Sequence, residues 1–518
     1  MNNSGKKSSE YADMNFLKVR EEYVLSLILI CAALITFVIL YYHDNLSFTY
    51  FGDAVSHIVR ARQFIDSQHP GINNIGTVWL PLPHLLLLPF VAFDALFYTG
   101  IAGAMIGVPF LVGTGLLLFF IIESLAQSRS IAFTFSLLFA LNPNILYIAM
   151  TPMNEMPLIF FVTLGGLALL KWIQTGNERW MILCSIAIVS ATLCRYEAWI
   201  LVPFISIIAL HKGIELWKQD KKYATFTMIV IAGISWLGIV FWFIWNYAQY
   251  DDALKFAHWT YSVGTSAVRA TLHDRPQDVF LVIGKALLWI FGPMMLGASI
   301  VAIVSIKKLS LRKEQILVML FFSLPAFFTL WAILIGFVQI DQWWWNWRFF
   351  LTFGLFLSIA SALSLQGLFR TEPSKIFKPF VVICFFTMPV MQIVVPSVGV
   401  AIFNDASKSY DEHSRSAVVF GEELHSRYQD GTVALLTGYG VGQRIMISSR
   451  LPLKTFSVKY FSTEPIPVIT DRYVIMGKNR TPESEEFSRY WISNREMLLQ
   501  SYSIVTEDTH FVLLEYKK

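Results

Sequence analysis

Two carboxylates lie in short polar segments beside long apolar runs, where a charged group is costly unless it is hydrated, paired or used. Asp53 opens a stretch whose apolar residues recur at helical spacing, which predicts an amphipathic helix lying on the membrane surface. His57 lies four positions later on the same face of this helix. Glu155 lies in a very short turn between two apolar runs. Both are candidates for acid–base or cation-binding chemistry. Asp53 can equally be a helix N-cap, and Glu155 an ordinary turn charge at a membrane surface.

Two arginines at the ends of apolar runs are candidates for binding phosphate. The guanidinium group is a planar fork that matches a phosphate with two hydrogen bonds. Arg195 can pair with Glu197 instead, and Arg348 ends an aromatic run in which it can act as an interface anchor. The sequence leaves these alternatives open.

Three further basic residues are weaker candidates. His84 follows a proline at the start of an apolar stretch, where it can contact a phosphate or fill an amphipathic face. Lys255 and His258 belong to a polar loop near residues 248–280, which can fold over a bound ligand or remain solvated.

The elements that must position these residues are membrane spans. The chain has 518 residues, of which 55% are hydrophobic and only 15% charged, and its mean hydropathy is +0.55. This composition is typical of a polytopic membrane protein, and it excludes disordered chains and nucleic-acid binders, which need far more charge. The four cysteines all lie in or beside apolar runs, so the sequence predicts neither a disulfide framework nor a cysteine metal cluster.

We count about eleven long apolar runs as membrane spans, which predicts a mainly α-helical, polytopic transmembrane bundle. They lie near residues 23–42, 101–122, 131–149, 157–173, 181–194, 197–210, 224–247, 281–305, 316–338, 349–367 and 378–399. The stretch Trp79 to Phe97 carries three prolines, His84 and Asp94, and we interpret it as interfacial or re-entrant. With that interpretation every strongly basic loop falls on the side of the N-terminus, which the positive-inside rule makes cytoplasmic.

The same topology brings Asp53 and Glu155 to one face of the membrane. It places residues 44–100, 150–156, 248–280, 339–347 and the segment from about 401 outside. We therefore divide the chain into a cytoplasmic tail (1–22), a transmembrane domain (23–400) and an extracytoplasmic domain (401–518). Alternating apolar runs and helical stretches predict that the last is a small α/β domain. The glycine-rich turn at 438–442 lacks the spacing of a nucleotide-binding loop.

These features together resemble the GT-C glycosyltransferases, most closely the branch of protein O-mannosyltransferases and aminoarabinose transferases (glycosyltransferase family 39). The resemblance covers residues 20–400 and rests on short motifs. They are Asp53 in the first external loop, Trp79-Leu80-Pro81-Leu82-Pro83-His84, Asn154-Glu155-Met156-Pro157-Leu158 and Arg195-Tyr196-Glu197-Ala198-Trp199. It implies a plasma-membrane enzyme that transfers a sugar from a polyprenyl-phosphate donor to a protein, lipid or glycan acceptor on the extracytoplasmic face.

Phosphate is already a good leaving group, so such a transfer needs a base for the acceptor hydroxyl and cations for the departing anion. A single base implies inversion at the sugar carbon. We expect Asp53 to be that base and Glu155 to orient the acceptor or a cation. The candidates for binding the donor phosphate are Arg195, Arg348 and His84, and the supporting candidates are His57, Glu197, Lys255 and His258.

The chain departs from the family pattern at both acids. Many members have a paired Asp-Glu where Asp53 is followed by Ala54, and the second acid is often Asp where this chain has Glu155. These departures put metal dependence in doubt. Asp53, Glu155 and His57 offer ligand atoms that Mg²⁺ or Mn²⁺ accepts, but they come from distant segments without a recognisable spacing. The sequence predicts no certain cofactor and leaves a divalent cation open.

Two other functions remain open at this stage. A transporter or a flippase for lipid-linked sugars would place its polar residues near the middle of the bilayer, among broken helices, whereas the acids here gather at one face. A non-catalytic member of the family is the second alternative, because the paired acid is missing.

Overall fold

A computed structural model describes residues 20–74, 76, 78–258, 276–304, 311–335, 346–368, 379, 383, 400–459, 470–478 and 485–517. The predicted tail up to residue 19, the predicted span 378–399 and parts of the loops 248–280 and 339–347 lie outside these residues. The described part is mainly helical, with one small sheet near the C-terminal end.

Sixteen helices precede residue 400 in the described part. They are α1 (Glu21–His43), α2 (Gly52–Gln63), α3 (Leu82–Val91), α4 (Asp94–Tyr98), α5 (Ala102–Ala126), α6 (Arg129–Ala140), α7 (Pro143–Met150), α8 (Glu155–Thr175), α9 (Glu178–Thr192), α10 (Leu201–Trp217), α11 (Lys221–Met228), α12 (Leu237–Tyr250), α13 (Lys255–His258), α14 (Pro276–Val304), α15 (Lys313–Leu334) and α16 (Phe353–Leu368).

Six helical segments in the described residues are long and apolar enough to cross a membrane: Glu21–His43, Ala102–Ala126, Glu155–Thr175, Tyr196–Trp217, Lys313–Leu334 and Trp347–Gln366. Two bent pairs, α6 with α7 and the segment Lys221–Ile234 with α12, raise the number to eight if each is one span. The chain is thus a multi-pass membrane protein, but the predicted number of about eleven is not confirmed. Helix α9 has only 15 residues, and α14 is interrupted at Gly292, whose φ is +78°.

Close packing of α5 against the segment before α8 determines where Glu155 lies. A Cβ atom at Gly103 would collide with the backbone of Thr151 and Pro152, and one at Gly107 would collide with the carbonyl of Ala149. Only glycine allows α5 to approach this closely. The turn that leads into α8 is therefore packed directly on α5.

Helix α2 is more deeply buried than a helix lying on a membrane surface alone would be. Seven of its 12 residues are buried, including Val55, Ile58 and Val59. These side chains share one apolar core with Leu87 of α3 and with the C-terminal part of the chain. Helix α2 is therefore covered both by α3 and by the C-terminal part of the chain.

The C-terminal part contains four helices and a five-stranded sheet in the described residues. The helices are α17 (Ala401–Ser409), α18 (Glu412–Arg427), α19 (Tyr439–Ser449) and α20 (Glu485–Ser501), and the strands are β1 (Val433–Leu436), β2 (Phe456–Lys459), β3 (Tyr473–Gly477), β4 (Tyr502–Glu507) and β5 (Phe511–Tyr516).

The strand order is β2-β1-β3-β5-β4, with β2, β1 and β3 parallel and β5 antiparallel to both its neighbours. The register pairs Val433 with Tyr473 and Tyr473 with Glu515. One face packs on α18 and α19 and joins the core of α2, and the other is covered by α20 through Phe487 and Trp491. This small α/β unit is therefore packed directly onto α2 and α3.

Candidate active site

Four charged side chains that are far apart in the sequence meet at one place. Arg348 Nη2 pairs with Asp53 Oδ2, and Arg348 Nε lies 3.7 Å from Glu155 Oε1. The same Glu155 oxygen accepts a hydrogen bond of 2.8 Å from Arg195 Nη1. With Glu197, which pairs with Arg195, these residues form what we call the acid–arginine cluster.

Each member of the cluster lies in the first turn of a helical element or directly before it. Asp53 lies in the first turn of α2 and Glu155 is the first residue of α8. Arg348 lies in the 3₁₀ turn Trp347–Phe350, and Arg195 directly precedes the 3₁₀ turn Tyr196–Ala198. Negative charges near helix N-termini are favourable, so both acids stand where the helix dipole stabilises them.

The four meeting side chains differ in their access to solvent. The exposed fraction is 3% for Glu155, 7% for Arg348 and 15% for Arg195, whereas Asp53 is 38% exposed. Asp53 is therefore the member that a ligand can reach most easily.

The hydrogen-bonding capacity of Arg348 and Glu155 is only partly used among the described residues. Arg348 Nη1 has only the thioether sulfur of Met153 as a partner, at 3.6 Å, and Nε has no acceptor that satisfies hydrogen-bond geometry. A thioether is a weak acceptor. Glu155 Oε2 is buried and has no hydrogen-bond partner in this part of the chain. A buried guanidinium group with unused donors is a favourable place for an anion.

Arg195 is held by acids on two sides. Its Nε and Nη2 atoms donate to Glu197 Oε1 at 3.0 and 2.7 Å. Burial opposes its charge, but Glu197 and Glu155 outweigh burial and raise the pKa of Arg195 above its usual range. Phe349 packs against both guanidinium groups, and its ring centroid lies 4.9 Å from Arg195 Cζ and 5.2 Å from Arg348 Cζ. Such contacts favour the cationic form and fix the planes of both groups.

His57 and His84 form a buried pair beside the cluster. His57 Nδ1 lies 3.0 Å from His84 Nε2, and Trp79 packs edge-on against His57. Burial lowers the pKa of both histidines, and the charges of Arg348 and Arg195 lower that of His57 further. Both are therefore neutral at pH 7. In this arrangement His84 contacts His57 and not the cluster, and its own Nδ1 has no partner among the described residues.

Lys255 and His258 belong to the four-residue helix α13. Phe256, between them, stacks on Tyr196 with ring centroids 5.4 Å apart. This contact places α13 beside the turn that carries Glu197. The side chain of His258 lies outside the described part of the structure.

The candidate metal ligands Asp53, Glu155 and His57 have other partners in this arrangement. Arg348 stands between the carboxylates of Asp53 and Glu155, and the Nδ1 atom of His57 faces His84. Within the described residues no group of three or more His, Cys, Asp or Glu side chains is placed to hold a metal ion. A guanidinium group occupies the position that a cation shared by the two acids would take.

The C-terminal unit supplies contacts that the sequence interpretation missed. Arg444 of α19 donates to the carbonyl oxygens of Thr49 and Tyr50, at 2.9 and 2.6 Å, just before Asp53. Asp405 of α17 accepts a hydrogen bond of 3.2 Å from the backbone N–H of Trp347, next to Arg348. In the sequence Arg444 is a single Arg between Gln443 and Ile445, which does not reveal its partner.

Comparisons with known proteins identify the fold. No family model matches the chain, and no curated protein matches its sequence. The structure of ArnT from Cupriavidus metallidurans bound to undecaprenyl phosphate aligns over 94% of this chain and 97% of its own, with a TM-score of 0.53 and 13% identity. The apo structure of the same protein gives a TM-score of 0.55 at 12% identity, over 96% and 98% of the two chains. ArnT is an aminoarabinose transferase of the GT-C superfamily, so the resemblance to GT-C proteins is confirmed at the level of the fold.

Proposed function

We propose that this protein is a membrane glycosyltransferase that takes its sugar from a polyprenyl-phosphate donor. The observation that carries the proposal is the acid–arginine cluster, in which a buried guanidinium group with unused donors lies beside an accessible carboxylate. The fold shared with ArnT, which has been solved with undecaprenyl phosphate bound, supports a carrier of this class.

In the proposed reaction an acceptor hydroxyl attacks the sugar carbon that bears the phosphate. The new bond joins the acceptor oxygen to this carbon, and the bond from the carbon to the phosphate oxygen breaks with its electron pair leaving on the phosphate. Asp53 receives the hydroxyl proton, and the polyprenyl phosphate leaves as an anion. Attack opposite the leaving group inverts the configuration of the sugar carbon.

Arg348 links donor binding to the state of the base. It is paired with Asp53, and a donor phosphate oxygen is a competing partner for the same guanidinium group. When the phosphate replaces Asp53 as the partner of Arg348, the Oδ2 atom of Asp53 becomes available to accept a proton. Arg195 supplies a second fixed positive charge next to Glu155, which orients the acceptor.

We place the reaction on the extracytoplasmic face of a plasma membrane, with the N-terminus in the cytoplasm. The acceptor is a protein, lipid or glycan with a free hydroxyl. The C-terminal unit packs against the loop that carries Asp53, which supports a role in holding that acceptor.

The test uses purified full-length protein in lipid nanodiscs with a panel of polyprenyl-phosphate sugars. Release of polyprenyl phosphate is followed by mass spectrometry, and binding of undecaprenyl phosphate is measured separately. Arg348→Gln is compared with Arg450→Gln, since Arg450 is an exposed arginine at the end of α19. We expect turnover in the wild type and in Arg450→Gln, with loss in Arg348→Gln. Binding without turnover for every donor and acceptor tried would favour a non-catalytic protein, and absence of binding would favour a transporter.

A further inference from the structure

We infer that Arg444 is a positioning residue for Asp53, which makes the C-terminal unit a working part of the active site. This inference rests on the proposed function, in which Asp53 is the base.

Arg444 holds the backbone that leads into α2. Its Nη1 atom donates to Thr49 O at 2.9 Å and its Nη2 atom donates to Tyr50 O at 2.6 Å. Tyr50 is three positions before Asp53, with Phe51 and Gly52 between them. The two bonds use the fork of the guanidinium group and fix both the position and the direction of this segment.

The environment of Arg444 is unusual for a cation. Its side chain is buried, with an exposed fraction of 5%, and in the described part of the chain no carboxylate pairs with it. Burial lowers its pKa to about 10, so it remains charged at neutral pH. Burying a charge is costly, and the groups that stabilise this one are two backbone carbonyls, the ring of Tyr410, whose centroid lies 5.1 Å from Arg444 Cζ, and the nearby charge of Asp411. The carbonyls of Thr49 and Tyr50 are thus the hydrogen-bond acceptors of a buried cation.

Three other contacts from the C-terminal part surround the same segment. Tyr410 stacks on Tyr50 with ring centroids 4.8 Å apart, and Ser409 Oγ accepts a hydrogen bond of 3.3 Å from the backbone N–H of Gly52. Ser56 donates to the side chain of Gln443, the neighbour of Arg444. Contacts therefore lie on both sides of Asp53 in the sequence. They hold its backbone and leave its carboxylate free to face Arg348.

The experiment compares Arg444→Gln and Arg444→Lys with the matched control Arg450→Gln in full-length protein. Hydrogen–deuterium exchange measures protection of residues 49–56. Labelling by a carbodiimide measures the reactivity of the Asp53 carboxylate, with the exposed Asp251 as internal reference. Steady-state kinetics separate kcat from the KM for the donor, and the double variant with Asp53→Asn tests whether both residues act through one effect.

For Arg444→Gln we expect faster exchange over 49–56, altered labelling of Asp53 and a kcat lower on the order of 10- to 100-fold, with the donor KM within about threefold. Arg444→Lys can donate to one carbonyl, so its exchange rate, labelling and kcat should lie between those of Arg444→Gln and the wild type. Arg450→Gln should match the wild type. Adding Arg444→Gln to Asp53→Asn should cause little further loss.

Unchanged exchange and labelling in both Arg444 variants would overturn the inference, as would multiplicative losses in the double variant. If Arg444→Gln does not fold, Arg444→Lys carries the same comparison. Wild-type turnover by Asp53→Asn would instead reject the proposed base, and the exchange data would still show whether Arg444 holds the loop.

Discussion

Replacing Asp53 by Asn removes the proposed proton acceptor while keeping the shape of the side chain. The amide oxygen can still accept a hydrogen bond from Arg348, so the local geometry is retained. What is lost is a negative charge on a side chain that is 38% exposed. The effects on folding and on catalysis should therefore differ greatly in size.

The structure allows both magnitudes to be worked out. General-base catalysis is worth about 10²- to 10⁴-fold in rate, which is about 3 to 5 kcal/mol of activation free energy. An ion pair with one partly exposed member contributes about 1 kcal/mol or less to stability. We expect Asp53→Asn to lower kcat by at least about 100-fold while the free energy of unfolding changes by about 1 kcal/mol at most.

The assay is release of polyprenyl phosphate in nanodiscs, with donor binding and thermal unfolding measured on the same preparation. Asp251→Asn is the control, because Asp251 is an exposed Asp at the end of α12 whose left-handed backbone Asn also tolerates. A kcat for Asp53→Asn within about threefold of the wild type would refute the assignment of the base. A large loss of stability would show instead that Asp53 is structural.

Three further changes have distinct expected outcomes. Glu155→Gln removes the acceptor shared by Arg195 and Arg348, and breaking a buried pair should lower the free energy of unfolding by about 3 kcal/mol in denaturant titrations, whereas an unchanged value would show that the pairs are weak. Arg348→Lys replaces a fork by a single point of charge, and we expect the donor KM to rise about tenfold, which an unchanged KM would contradict. The free energy of unfolding should fall as the pH drops below 6.5, because unfolding exposes His57 and His84 to protonation that burial prevents. The loss should reach up to about 1.4 kcal/mol per pH unit for each histidine. The difference in thermal unfolding between pH 7 and pH 5.5 should be smaller for His84→Gln than for the wild type, and an equal difference would contradict this.

Part of the site could be predicted because membrane topology carries long-range information. Basic loops assign each external segment to one face, so Asp53, Glu155, Arg195 and Arg348 could all be placed at that face from the sequence. The structure brings these four together. Charge asymmetry between loops and the high cost of buried charges make such residues stand out against apolar runs.

Contacts between side chains of distant elements could not be predicted in the same way. The pairing of His57 with His84 depends on how α2 packs against α3, and periodicity gives only the face of each helix. The contact of Arg444 with Thr49 and Tyr50 joins segments almost 400 positions apart. The number of spans could not be predicted from the apolar runs either, because α9 is short and Gly292 interrupts α14.

The charge balance of the acid–arginine cluster constrains the order of events at the site. Three carboxylates face two guanidinium groups, which leaves one formal negative charge when all are ionised. A donor phosphate adds a further negative charge in a partly buried place, where repulsion is weakly screened. In the proposed mechanism this repulsion falls when the phosphate replaces a carboxylate as the partner of a guanidinium group, and Asp53, the more exposed of the two acids that contact Arg348, is the easier to displace. The proposed mechanism therefore couples donor binding to release of the base, so that an acceptor meets a free base only when the sugar is already in place.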